Sequence, residues 1–235
     1  MILRVFVFFF LGIFSIIFAQ DSHAQYTTRY GATRHTPTTQ QQKDLRILAF
    51  GDSLTEGYGI ARHEAFPTAL QQALNKNGYH VDIYNGGKSG DTTASGLKRI
   101  DSVLQRYPDP DLVILALGAN DYLRRISTDV TQDNLISLLT LFEQRDIPVF
   151  LIGVKAYVHP SPLYRWRFNR IFPRLAKKHA TGFMPDFLDG VAMNPAMNIE
   201  DGIHPNTRGV ALMVDNTLPL IMPVLDNIKA AKTKP

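Results

Sequence analysis

Leu45-Arg46-Ile47-Leu48-Ala49-Phe50-Gly51-Asp52-Ser53-Leu54-Thr55-Glu56-Gly57-Tyr58-Gly59 joins a short apolar run to a glycine-bearing polar turn, and a helical pattern begins near Glu64. An apolar run of this kind predicts a strand buried on both faces, as in parallel sheets. In open α/β sheets, ligands bind just beyond the carboxyl ends of the strands. A serine at that junction is well placed for chemistry. Gly, Asp and Ser also dominate ordinary turns for conformational reasons, so this stretch alone supports both readings.

Outward from it, apolar runs alternate with helical patterns. Further strands are predicted at Val81–Tyr84, Leu112–Leu117 and Val149–Val154, with a weaker one near Gly182–Pro185. Between them, apolar residues recur at i, i+3, i+4 and i+7, the spacing of one helix face. Phe66, Ala69, Leu70, Ala73 and Leu74 form one stripe, and Leu97, Ile100, Leu104 and Tyr107 a second. Leu135, Leu138, Leu139 and Phe142 form a third, and Phe168, Ile171, Phe172 and Leu175 a fourth. Pro173 is expected to kink that fourth helix or begin a new one. Val210, Met213, Val214, Thr217, Leu218 and Ile221 form the last stripe. The order β-α-β-α-β-α-β-α-(β)-α implies a parallel sheet of about five strands in a three-layer α/β/α sandwich of flavodoxin-like type.

The chain has 235 residues, enough for one α/β domain, and a formal net charge of +4, too mild and dispersed to suggest nucleic acid. It has no cysteine, which excludes disulfides, a thiol nucleophile and cysteine-ligated metal. Val5 to Phe18 is almost unbroken apolar sequence after Arg4. That run is short for a membrane span and fits a secretory signal. The expected signal peptide is 1–24, cleaved after Ala24 or, less favourably, Ala19; retention as an anchor is the alternative. Periplasmic export follows from this reading. Residues 25–43 read as a polar linker, and Lys229 to Pro235 as a basic frayed tail.

The polar residues fall after the strands. Ser53 follows the first. Asn85-Gly86-Gly87-Lys88-Ser89-Gly90-Asp91-Thr92-Thr93 follows the second, and Gly118-Ala119-Asn120-Asp121 the third. Asp201-Gly202-Ile203-His204-Pro205 precedes the last helix. A serine hydroxyl needs a base to act as a nucleophile. His204 can supply it, and Asp201 can orient the imidazole and stabilise its cation. A developing oxyanion needs preorganised donors. The N–H groups of Ser53 and Gly90 and the amide of Asn120 are three candidates.

These blocks, in this order, resemble the SGNH (GDSL) hydrolases, and most closely the periplasmic arylesterase, thioesterase I and lysophospholipase L1 type. The resemblance covers nearly all of residues 45–226 and implies a hydrolase domain over 44–228. It implies Ser53 as nucleophile, His204 as base, Asp201 as its partner, and Ser53, Gly90 and Asn120 as the oxyanion hole. It also implies a small acyl ester, thioester or lysophospholipid as substrate, with no cofactor. The chain departs from the closer group at Ala119, Tyr122 and Lys88. Of these, Tyr122 bears on acyl-chain preference, because an aromatic ring beside the oxyanion donor fills space that glycine would leave open.

Tyr122, Tyr157 and Met193 are candidate pocket residues, and His159 a candidate for the mouth. The apolar stretch Pro185–Asn198 is expected either to wall an acyl pocket or to pack in the core. Gly87-Lys88-Ser89 resembles the end of a phosphate-binding loop, but the motif's first glycine would fall on Asp82. Asp201 and His204 lack the companions of a metal site. Arg165, Arg167, Arg170, Arg174, Lys177 and Lys178 read as a solvated helix face, with weak contact to a membrane surface as the alternative. Deacetylation of a cell-envelope carbohydrate, or silent binding on the same fold, are the other functional readings.

Overall fold

The computed structural model describes residues 45–158 and 160–233. The expected signal peptide, the linker and His159 lie outside them. The described elements are β1 (Leu45–Gly51), α1 (Ser53–Glu56), α2 (Phe66–Lys76), β2 (Val81–Gly87), α3 (Thr93–Arg106), β3 (Leu112–Ala116), α4 (Ala119–Leu123), α5 (Thr128–Glu143), β4 (Val149–Ile152), α6 (Pro162–His179), β5 (Gly182–Met184) and α7 (Thr207–Thr233). Short 3-10 turns sit at Arg62–Glu64 and Pro195–Met197. All strand pairs are parallel, in the order β2-β1-β3-β4-β5. This is the flavodoxin-like order, whose switch point lies between β1 and β3.

The apolar runs are continuous because both faces of the sheet are covered. Ile47, Ala49, Ile114 and Phe150 face one core with Phe66, Leu70 and Leu74 of α2 and Val210, Met213 and Ile221 of α7. Leu48, Phe50, Val113, Leu115 and Leu151 face the other, with Ile100 of α3, Leu138 and Phe142 of α5, and Phe168 and Phe172 of α6. Successive strand residues point to opposite faces, so each strand contributes to both cores.

Three features differ from expectation by more than a residue or two. β2 runs through Asn85-Gly86-Gly87 rather than ending near Tyr84. These residues stay paired with Ala49–Gly51, and glycine is required at 87 because a Cβ there would lie 2.3 Å from the Glu56 backbone. Pro173 does not begin a new helix; α6 passes through it, with the proline on the exposed side. At the C-terminus α7 continues to Thr233, past the expected fraying point. Lys229 there lies 4.4 Å over the Tyr79 ring, and Lys232 pairs with Asp111, which ties the last turns to the body.

Candidate active site

β1 ends on Gly51, and the chain turns at once into α1. A Cβ at Gly51 would lie 2.6 Å from the Ala116 carbonyl oxygen, so only glycine lets the turn sit this close to β3. Asp52 caps α1 by accepting from the Leu54 N–H at 3.0 Å. Ser53, the first residue of α1, is thereby held at the carboxyl edge of the sheet, 9% exposed.

Opposite it, the segment before α7 folds into a narrow hairpin. Asn198 bridges Pro205, and the Ile199 N–H donates to the His204 carbonyl at 2.9 Å. Gly202 takes φ +69, a left-handed conformation that glycine adopts without a steric cost. The turn brings Asp201 back onto His204. Asp201 Oδ1 accepts from the N–H groups of Ile203 and His204, both at 2.9 Å, while Oδ2 lies 2.6 Å from His204 Nδ1. His204 Nε2 lies 3.0 Å from Ser53 Oγ. Burial works against ionisation of Asp201, but the His204 N–H, the His204 ring and the Ile203 N–H outweigh it and hold the carboxyl down at about 2. The result is a hydroxyl–imidazole–carboxylate chain able to move a proton off Ser53.

Tyr58, which sequence reasoning missed, covers the imidazole with ring centroids 4.5 Å apart. It sits between Gly57 (φ +90) and Gly59 (φ +78), and its N–H donates to the Ser53 carbonyl at 3.1 Å. The signal for it was present in the Gly57-Tyr58-Gly59 repeat, since two positive-φ positions allow the ring to fold back.

The oxyanion candidates are anchored from behind. Asn120, on α4, donates through Nδ2 to the Asp91 carbonyl at 3.0 Å; its approach to Asp52 Oδ2 is looser, at 3.5 Å. The neighbouring Asp121 is fully buried and fixes α4 to α3 and α5. It accepts from the Thr93 N–H at 2.8 Å and the Thr93 hydroxyl at 2.5 Å, with Thr131 Oγ1 at 3.3 Å. Gly90, at φ +81, lies in the β2–α3 turn, where Arg124 holds its carbonyl at 2.9 Å. Glu56 accepts from the Ser89 N–H at 2.7 Å, and Arg99 links Asp91 to the Gly51 carbonyl. Ser53, Asn120 and His204 line one cleft, and Gly90 is not among its lining residues.

That cleft has a volume of about 300 Å³ and mostly apolar walls. Tyr122, Tyr157 and Met193 all line it. The Pro185–Asn198 stretch divides its work: Phe187 and Val191 are core residues, while Leu188, Ala192 and Met193 face the cleft. Tyr122 is pinned by its hydroxyl to the Val158 backbone, accepting from the N–H at 3.3 Å and donating to the carbonyl. Its ring packs 5.7 Å from Phe168. A larger polar hollow of about 720 Å³ lies at the opposite sheet edge around Arg46, Asp109 and Asp146, where Arg145 pairs with Asp101 at 2.7 Å and Asp111 with Lys232. Among the described residues, no three His, Asp or Glu side chains converge to hold a metal ion.

Residues 49–212 match the GDSL-like lipase/acylhydrolase family. An arylesterase of Vibrio mimicus is 35% identical over 70% of this chain and 82% of its own. The thioesterase 1/protease 1/lysophospholipase L1 of Escherichia coli is 28% identical over 77% of this chain and 85% of its own. Among solved structures, AlinE4, an SGNH-hydrolase family esterase, superposes with a TM-score of 0.65 at 39% identity, covering 82% of this chain and 98% of that one.

Proposed function

The chain belongs to the GDSL-like lipase/acylhydrolase family, an ester-bond hydrolase family, and from that premise we propose that it is a serine esterase acting through Ser53, His204 and Asp201 on small acyl esters, aryl esters foremost. The observation that carries this is the unbroken contact chain from Ser53 Oγ through His204 to Asp201 at the mouth of an apolar cleft. Ser53 Oγ attacks the ester carbonyl while His204 Nε2 takes its proton. Asp201 keeps Nδ1–H directed and stabilises the imidazolium. The oxyanion is met by the N–H groups of Ser53 and Gly90 and by the Asn120 amide, whose contact to Asp52 is the longer of its two, at 3.5 Å. Collapse expels the alcohol, protonated from His204, and leaves an acyl-serine. Water, deprotonated by His204, then releases the acid and restores Ser53. A thioester would follow the same path with a thiol leaving.

Treatment with a fluorophosphonate should place a covalent adduct on Ser53, mapped by mass spectrometry. Ester hydrolysis with no adduct at Ser53 would overturn the serine mechanism, and neither adduct nor turnover would point to a silent binding protein. Tyr122, held against Val158, narrows the cleft beside Asn120 and biases it toward short acyl chains. Tyr122→Gly should raise kcat/KM for p-nitrophenyl decanoate relative to acetate by about tenfold or more, within the roughly 1–3 kcal/mol per methylene available to a pocket. An unmoved chain-length profile would remove Tyr122 from this role. The apolar N-terminus carries the reading of export to the periplasm, which N-terminal sequencing of the mature protein tests.

A further inference from the structure

The apolar cleft ends on a charge. Against Leu54, Val154 and Leu188 it adjoins a void of about 10 Å³, with room for about one water. This void shares Leu54, Val154, Lys155, Tyr157 and Leu188 with the main cleft and adds Asp186 and Phe187. Asp186 is 5% exposed. Its Oδ2 accepts from the Tyr157 hydroxyl and pairs with Lys155 Nζ at 3.2 Å, and its Oδ1 accepts from the Leu188 N–H at 3.2 Å. The backbone around it is equally fixed, since the Phe187 N–H donates to the Gly153 carbonyl at 2.9 Å and the Gly153 N–H to the Met184 carbonyl at 2.7 Å.

We propose that the buried Asp186 carboxylate, held by Lys155 and Tyr157, is a polar stop that limits the length of acyl chain the cleft accepts. This rests on the acyl-ester reading above. An alkyl chain gains by leaving water only where the surface it meets is apolar or already satisfied. At this end wall, each further methylene must displace the Tyr157 hydroxyl or press on an ion pair. Either strips a buried charge of its partners, which costs more than one methylene gains. Burial, and then the hydrogen bond to Asp186, push the Tyr157 phenol well above its ordinary range, so it remains a donor under assay conditions. An ion pair that only joined two loops would affect stability. This one also borders the substrate path, because Lys155 and Tyr157 are themselves cleft walls.

The test uses the full chain and the p-nitrophenyl esters from acetate to dodecanoate. Lys155→Met/Asp186→Leu removes both charges together, so that the buried carboxylate is not left without its half-exposed partner. The ratio of kcat/KM for octanoate to that for acetate should rise tenfold or more, with the length optimum moving to longer chains. Tyr157→Phe, which removes one hydroxyl at a partly exposed position, should move the ratio the same way by about threefold. It serves as the second variant if the double one fails to fold. Reading the ratio cancels any change common to all substrates. An unmoved ratio in either folded variant overturns the polar stop, including the case where the cleft takes the alcohol instead of the acyl chain. A parent protein that hydrolyses no ester in the series overturns the esterase reading itself.

Discussion

The turn after β1 and the hairpin before α7 each bring an aspartate to Ser53, and the two carboxyls are tuned in opposite directions. Asp52 is 1% exposed, and its pKa is pushed up to about 7. Burial is the main cause, only partly offset by the Leu54 N–H, and the charges of Asp91 and Asp121 add to it. Asp201 stands at the surface, gathers three donors from its own hairpin, and is held at about 2. The same residue type thus serves as a structural cap in one place and as a fixed anion beside the imidazole in the other. Burial without enough donors produces the first, and donors at a solvated turn produce the second.

The sharpest way to break this contrast is amide substitution. Asp201→Asn keeps the shape but loses the anion that directs His204. It should lower kcat by about three to four orders of magnitude, as for the orienting carboxylate of other serine hydrolases. Asp52→Asn can still accept from the Leu54 N–H and should cost less than about tenfold. Equal losses would mean that Asp52 also acts as an anion in the reaction.

Titration sharpens the contrast further. The folded-state pKa of Asp52 lies above its unfolded value of 3.8, so its contribution to stability is present below about pH 4 and lost as pH rises through about 7. The size is on the order of 4 kcal/mol at most. Asp201 has the opposite sign: its contribution is present above 3.8 and lost as pH falls toward about 2. Denaturant unfolding of Asp52→Asn should therefore show less loss of stability between about pH 4 and 7 than the parent. Parallel curves would rule out the raised pKa. In activity, kcat/KM should fall as the medium becomes acid enough to protonate imidazole, since in the proposed mechanism His204 accepts the Ser53 proton. Asp201 should still be ionised there, and Asp52→Asn should leave the acid limb in place if Asp52 is only a cap.

Much of this was legible in the chain. Apolar runs such as Leu112–Leu117 identified strands because a strand buried on both faces has no polar side to show. Ser53, Asn120, Asp201 and His204 could be picked out because each stands in a polar, glycine-bearing block directly after a strand or before the last helix. The Asp201–His204 contact is local, three residues apart across a glycine turn, and needs no distant information. The end of β2 was misjudged because Gly86 and Gly87 look like a turn when the α1 backbone lying over Gly87 is unknown.

Sequence alone therefore determined the layered fold, the order of its elements and the residue types of the site, because periodicity and turn chemistry are local properties. Only the tertiary structure decided what meets across the chain. It placed Tyr58 on His204, joined Asp186 to Lys155 and Tyr157 at the end of the cleft, and set Arg99 between Asp91 and Gly51. It also decided the character of Asp52, whose raised pKa sums burial with charges 39 and 69 positions further along the chain, at Asp91 and Asp121. Burial and through-space charge depend on distance in the folded molecule, and no spacing along the sequence records that distance.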